Sequence, residues 1–145
     1  MRLLPASLCL VLIAVTGGTV RAQPLDAAPL GDERVIIFFG WDRPVIDGDA
    51  AARLDSVAAA VQASPGVRIE LSGHADRSGP PGPNMRSGRR RAEAVHAYLA
   101  SRGVPSGVMT VVSHGETRPL IATADGVREP QNRRVEIVIT RAPGG

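Results

Sequence analysis

Lysine is missing from this 145-residue sequence, and all seventeen of its basic residues are arginine. The basic chemistry on offer is therefore that of a planar fork suited to bidentate carboxylate contacts, not of a point charge. Cysteine is nearly absent too: Cys9 is the single one, and it lies inside an apolar run near the N-terminus. With that segment removed, the remaining chain can form no disulfide and do no thiol chemistry. Aromatic residues make up only 3% of the chain, which leaves little surface for stacking nucleic-acid bases. The longest early apolar run, Leu8 to Val15, is far short of the ~20 residues that a membrane-spanning helix needs.

The N-terminus reads as a secretory signal over residues 1–22. Arg2 supplies the positive start, the apolar run follows, and Val20-Arg21-Ala22 is a small-residue cleavage site that gives a mature start at Gln23. Cys9 does not read as a lipidation site, because Leu8 and its early position do not fit a lipoprotein box. Removing Arg2 and Arg21 brings the formal net charge of +3 down to +1. A near-neutral secreted chain is a poor nucleic-acid binder, even though Arg89-Arg90-Arg91 superficially resembles a phosphate stripe.

The rest is long enough for one domain with a real core. Residues 23–33 form a short lead with Pro24, Pro29 and Gly31; the domain covers 34–141, and 142–145 form a tail. Val35 to Phe39 is apolar throughout and reads as a buried central strand holding both phenylalanines. Ala50, Leu54, Val57, Ala58 and Val61 mark one face of a helix that stops at Ser64-Pro65-Gly66. Val67, Ile69 and Leu71 alternate with polar residues as a strand does, and Ala92, Val95, His96 and Leu99 recur at helical spacing. A strand over Val108 to His114 and another carrying Val135, Ile137 and Ile139 complete an α/β pattern.

Chemistry concentrates between Gly73 and Val95. The strand ends near Gly73, a Gly/Pro-rich loop follows, and Asp76 leaves the strand while Arg91 sits on the next helix. Loops held by rigid elements, at the carboxyl end of a strand, are the usual place for binding residues. Taken alone, Asp76 and Arg91 read as a surface ion pair, worth ~0–1 kcal/mol, before they read as a ligand site. Asn84 serves either as a loop tether or as a ligand contact. Arg133 and Arg134 are neighbours entering a strand, so one faces the site and the other faces away. His74, His96 and His114 are too scattered to hold a metal, and no Gly-x-Ser-x-Gly elbow marks a hydrolase.

Three blocks resemble the OmpA-like C-terminal domain family, shared by OmpA, Pal and MotB-type proteins. Gly73-His74-Ala75-Asp76-Arg77-Ser78-Gly79 is similar to the family's Gly-His-Thr-Asp-x-x-Gly. Asn84, Arg91, Ala92 and Val95 fall at the spacing of its second block, and Asn132-Arg133-Arg134-Val135-Glu136 repeats its third. The resemblance implies a two-layer β-α-β-α-β-β sandwich with a mixed sheet and helices on one face. It implies noncovalent peptidoglycan binding in the periplasm, with Asp76 taking the ammonium and Arg91 a carboxylate of the diaminopimelate side chain. Asn84, Arg133 and Arg134 join the expected site; no cofactor, metal or catalysis is implied, and an outer-membrane or other envelope protein is a possible partner. One departure stands out: the Leu-Ser of the second block is Ser87-Gly88 here. At a helix start that change removes an apolar contact and a hydroxyl cap worth on the order of 1 kcal/mol. The alternative reading is therefore a structural or interaction module of the same fold whose wall binding is weakened or lost.

Overall fold

The computed structural model describes residues 33–141. The expected signal segment, the lead up to residue 32 and the tail 142–145 lie outside the described residues. The order is β1 (Glu33–Phe38), α1 (Gly48–Gln62), β2 (Val67–His74), α2 (Pro81–Ser101), β3 (Met109–Gly115) and β4 (Arg134–Arg141), with 3-10 turns at Ser106–Val108 and Pro130–Asn132. The four strands form one mixed sheet in the order β1-β4-β2-β3. β4 is antiparallel to both of its neighbours, while β2 and β3 run parallel, connected through α2. This is the expected β-α-β-α-β-β arrangement.

Helix α1 forms where its sequence signals say it should. Asp47 caps it, its Oδ1 accepting the Ala50 N–H at 2.8 Å, and Ala50, Leu54, Val57, Ala58 and Val61 are all buried. Gly66, at φ 78°, then turns the chain into β2 with a backbone that other residues rarely adopt. Facing the helices from the sheet are Ile37, Ile69, Leu71, Val135, Ile137 and Ile139, each at most 1% exposed. Burying side chains of that size contributes about 1.5–3 kcal/mol apiece.

β1 is an edge strand rather than the central one that its apolar run suggests. Ile37 and Phe39 face the core, but Phe38 points to the helix-free side and is 47% exposed. The central places belong to β4 and β2, which pair on both sides. An unbroken apolar run marks a doubly buried strand only where both sheet faces are covered, and in the described residues both helices pack on one face.

α2 also begins earlier than expected, at Pro81. Pro80 occupies the cap position without a side-chain bond, and Pro81 opens the first turn. Proline suits that place because its missing N–H is an orphan there anyway and its φ is already helical. Ser87 and Gly88 therefore lie inside the helix and not at its start, so no cap is lost through them. Gly88 has a packing role instead: a Cβ built on it would stand 2.5 Å from Ser113 Oγ and 2.8 Å from the Gly73 carbonyl oxygen. A Cβ on Gly73 would stand 1.8 Å from the Gly88 carbonyl oxygen. The two glycines let α2 lie almost backbone to backbone on β2. That close approach sets the position of Arg91, one turn further along.

Candidate ligand site

At the carboxyl end of β2 the chain departs from the sheet, and a cleft of about 260 Å3 opens between that departure, the first turns of α2 and the segment after β1. Asp76, Asn84, Arg91 and Arg133 line it, with Trp41 and Ser78. A register shift between Gly73 and His74 ends the regular β2–β3 ladder just before the site. Irregularities of this kind re-aim side chains next to binding sites.

Asp76 is 3% exposed and carries four hydrogen bonds. Its Oδ1 accepts the Ser78 hydroxyl at 2.5 Å and the Ser78 N–H at 3.3 Å. Its Oδ2 accepts Arg133 Nη1 at 3.0 Å and the Glu129 N–H at 3.2 Å. Burial pushes this carboxyl up, but the bonds from Ser78, Arg133 and Glu129 outweigh it and hold the carboxyl below its ordinary value. Asp76 is thus a fixed, ionised acceptor.

Arg91, near the middle of α2, is 6% exposed and donates from Nη1 to the His74 carbonyl at 2.9 Å. Among the described residues it has no carboxylate within ion-pairing distance. Burial lowers its pKa to about 10, helped by the Arg133 and Arg90 charges and opposed by Asp76. At neutral pH it remains a cation, poorly solvated and short of a counter-charge.

Arg133 resolves the question left open by the paired arginines. It faces the cleft, bonding Asp76 through Nη1 and the Phe39 carbonyl through Nε at 3.3 Å. Trp41 lies beside it, with the Arg133 guanidinium 5.7 Å and the Arg128 guanidinium 3.8 Å from its ring centroid. Arg134, the next residue, faces the opposite side of the sheet and bonds Glu136 from Nε at 2.8 Å and Nη2 at 2.6 Å, so it does not join the cleft. Asn84 does line the cleft, but its Nδ2 is spent on the Gly79 carbonyl at 2.9 Å and on Glu116. It ties the loop after β2 to the loop after β3. Asn132, 0% exposed, braces the strand entry, its Oδ1 accepting the Leu120 and Ile121 N–H groups and its Nδ2 donating to the Ile121 carbonyl, all at 2.8 Å.

Sequence reasoning missed Ser78 as a partner of Asp76, and the spacing that signals it is visible: an aspartate side chain commonly accepts the backbone N–H two residues on, which here brings the Ser78 hydroxyl to the same oxygen. The Glu129 N–H and Glu116 carry no such signal, because their reach depends on how the loops after β3 fold back.

A family model, OmpA family, matches residues 38–133. An outer membrane protein of Gluconacetobacter diazotrophicus is 45% identical over 121 residues, which is 77% of this chain and 31% of that protein. The peptidoglycan-associated lipoprotein of Pasteurella multocida is 37% identical over 98 residues, covering 68% of this chain and 65% of the relative. The chain thus spans under a third of the first of these relatives and just under two thirds of the second. Among solved structures, the peptidoglycan-associated lipoprotein of Burkholderia pseudomallei superposes with a TM-score of 0.68 at 30% identity, over 72% of this chain and 89% of that one. The periplasmic domain of Helicobacter pylori MotB superposes at 0.63 with 21% identity, over 77% of each, and shares the fold. On the matched span, the three sequence blocks and the sheet topology together, the chain belongs to the OmpA family.

Proposed function

We propose that the chain binds peptidoglycan noncovalently in the periplasm, taking the zwitterionic end of the diaminopimelate side chain between Asp76 and Arg91, without catalysis. The observation that carries this reading is the pairing in one 260 Å3 cleft of an ionised acceptor, Asp76, with a buried guanidinium that has no carboxylate partner. An amino-acid zwitterion needs one acceptor-only group and one planar donor fork, set apart by its own span. Arg91 supplies the fork and gains the counter-charge it lacks. Asp76 supplies the acceptor, although Arg133 already holds one of its oxygens, so the incoming ammonium shares or takes over that place. The Arg133 fork then faces the same carboxylate as Arg91. Relatives named peptidoglycan-associated lipoproteins support the polymer as the target, and the signal segment supports the compartment. Association with an outer-membrane or other envelope protein belongs to the same reading.

Pull-down with purified sacculi tests it. Asp76→Asn and Arg91→Ala should each abolish most binding while the far-ultraviolet circular dichroism stays that of the parent. Removing one partner leaves a ligand charge desolvated and unpaired, a loss of ~2–5 kcal/mol. Arg89, exposed and 3.7 Å from Glu93, is the control, and its alanine variant should bind as the parent does. Equal weakening by all three, with a steep loss in added salt, means that binding is diffuse electrostatics and refutes the site.

A further inference from the structure

The helix-free face of the sheet carries a second polar cavity, of about 470 Å3, that wall binding leaves unused. Strand alternation puts it there: His74 of β2 and Arg134 and Glu136 of β4 point away from the helices, and His114 at the end of β3 and Arg118 after it close one side. Its floor holds two buried side chains with unmet hydrogen-bonding capacity. His74 is 2% exposed, and neither of its ring nitrogens makes a hydrogen bond among the described residues, the near carboxylate oxygen being Glu136 Oε1 at 3.9 Å from Nε2, too far for one. Arg134 is 3% exposed; Nε and Nη2 are bonded to Glu136, and Nη2 also to the Arg118 carbonyl, but Nη1 has no partner. Buried polar groups are nearly always paired, so a group of them facing one cavity calls for an explanation.

The charges around them decide the class of ligand. Glu136 is already neutralised, by Arg134 and by Arg34 at the edge. Glu70 accepts from the Ser72 hydroxyl at 2.8 Å. Arg118 is exposed and has no carboxylate within ion-pairing distance among the described residues; its Nη1 stands 3.4 Å from His114 Nε2, and the His114 ring is 5.3 Å from that of His74. Three arginines against two glutamates leave this lining one positive charge in excess. No three metal-ligating side chains cluster among the described residues, and two arginines facing the space disfavour a cation. The unmet groups on Arg118 and on Arg134 Nη1 are donors only, and a neutral imidazole adds one more.

We propose that this cavity is a second binding site, for a small oxyanion, a carboxylate or phosphate group, met by Arg118 at the mouth and by Arg134 and His74 at the floor. Burial, then the Arg134 charge and to a lesser degree His114, hold the His74 pKa down at about 4 against the opposing pulls of Glu136 and the Arg118 backbone, so the ring is neutral and offers one N–H at pH 7. A bound anion raises that pKa.

The test uses protein 15N-labelled at histidine, titrated with inorganic phosphate and separately with acetate at constant ionic strength set by chloride. Saturable shifts of the His74 and His114 ring signals are expected with at least one of the two, and which one saturates assigns the group as phosphate or carboxylate. Arg118→Gln should weaken that binding about tenfold or more, as expected for loss of a charge-assisted contact, while Arg89→Gln should leave it unchanged. Because Arg118 is exposed, its variant keeps the test valid even if Arg134→Gln fails to fold. Shifts that rise linearly with both anions, or saturable binding that Arg118→Gln leaves intact, overturn the proposal.

Discussion

Adding a single methyl group at Gly88 tests how the fold sets the ligand site. The change Gly88→Ala is favourable for the helix on its own, because glycine inside a helix costs about 0.5–1 kcal/mol relative to alanine. The tertiary contact opposes it. The new Cβ would meet Ser113 Oγ at 2.5 Å, and that hydroxyl can turn away only by giving up its 2.8 Å bond to the Met85 carbonyl. It would also meet the Gly73 carbonyl oxygen at 2.8 Å, and a strand backbone has nowhere to turn, so α2 must lift from β2. With two contacts under 3.0 Å, one to strand backbone, the overpacking cost falls in the upper part of the usual range, about 2–3 kcal/mol, which exceeds the helical gain. The net expectation is a loss of about 1–2 kcal/mol in urea unfolding, with an unchanged m-value because the surface exposed is the same. Lifting the helix also draws Arg91 Nη1 back from the His74 carbonyl, so sacculus binding should fall more than stability alone explains. Restoring the family's Leu-Ser at Ser87-Gly88 places the same Cβ in the same contact and should destabilise as well. A variant as stable as the parent, or more so, refutes the argument that the two glycines fix the helix on the strand.

Three further outcomes follow from the same structure. His74 titrates near 6.5 when unfolded and at about 4 when folded, so its contribution to stability is complete above pH 6.5 and is lost as pH falls toward 4; between pH 7 and 5 the loss is about 2 kcal/mol. Urea unfolding at the two pH values, parent against His74→Leu, measures it, and an equal slope in both proteins contradicts it. Arg133→Gln removes the cation from Asp76 but leaves the Ser78 and Glu129 bonds, so stability at pH 7 should fall by about 1–3 kcal/mol, and the Asp76 carboxyl should move up toward its ordinary value by carbon-detected NMR titration; no movement means that Arg133 is a bystander. Protein recovered from the periplasm should begin at Gln23 and carry no acyl chain, and an intact mass that retains Met1 or a lipid on Cys9 rules this out.

Repeating local patterns carried most of the fold into the sequence. α1 was legible because a one-sided apolar stripe, Ala50, Leu54, Val57, Ala58 and Val61, and a Ser-Pro-Gly stop agree, although the Asp47 cap was not read. The alternation of Val135, Ile137 and Ile139 likewise named the core face of β4. What misled was information that one segment does not hold. The run at Val35–Phe39 has the composition of a central strand, yet whether a strand is central depends on how many neighbours it pairs with, and β1 pairs with β4 alone. Pro80-Pro81-Gly82-Pro83 has the composition of a loop, yet proline in a first turn is as helical as it is turn-forming, and what chooses between them is the sheet against which the helix lies.

The site divides along the same line. That one of two adjacent arginines must face away follows from strand geometry, but which one does depends on the step from the Pro130–Asn132 turn into β4. That step sends Arg133 to Asp76 and Arg134 to Glu136 on opposite faces. The consequence reaches beyond assignment. Asp76 and Arg133 form a buried ion pair 3.0 Å apart in the wall of the cleft, and Arg133 also disfavours the charge on Arg91 nearby. On the proposed reading, a ligand bearing only an ammonium would have to compete with Arg133 for Asp76, and one bearing only a carboxylate would leave Arg133 committed to Asp76 and gain Arg91 alone. A zwitterion would meet both demands at once, its ammonium replacing what Arg133 gives Asp76 and its carboxylate relieving the repulsion between the two arginines. On the proposed reading, selectivity for a zwitterionic end over either single charge would come from three side chains together, and Asp76 and Arg91 alone would not produce it.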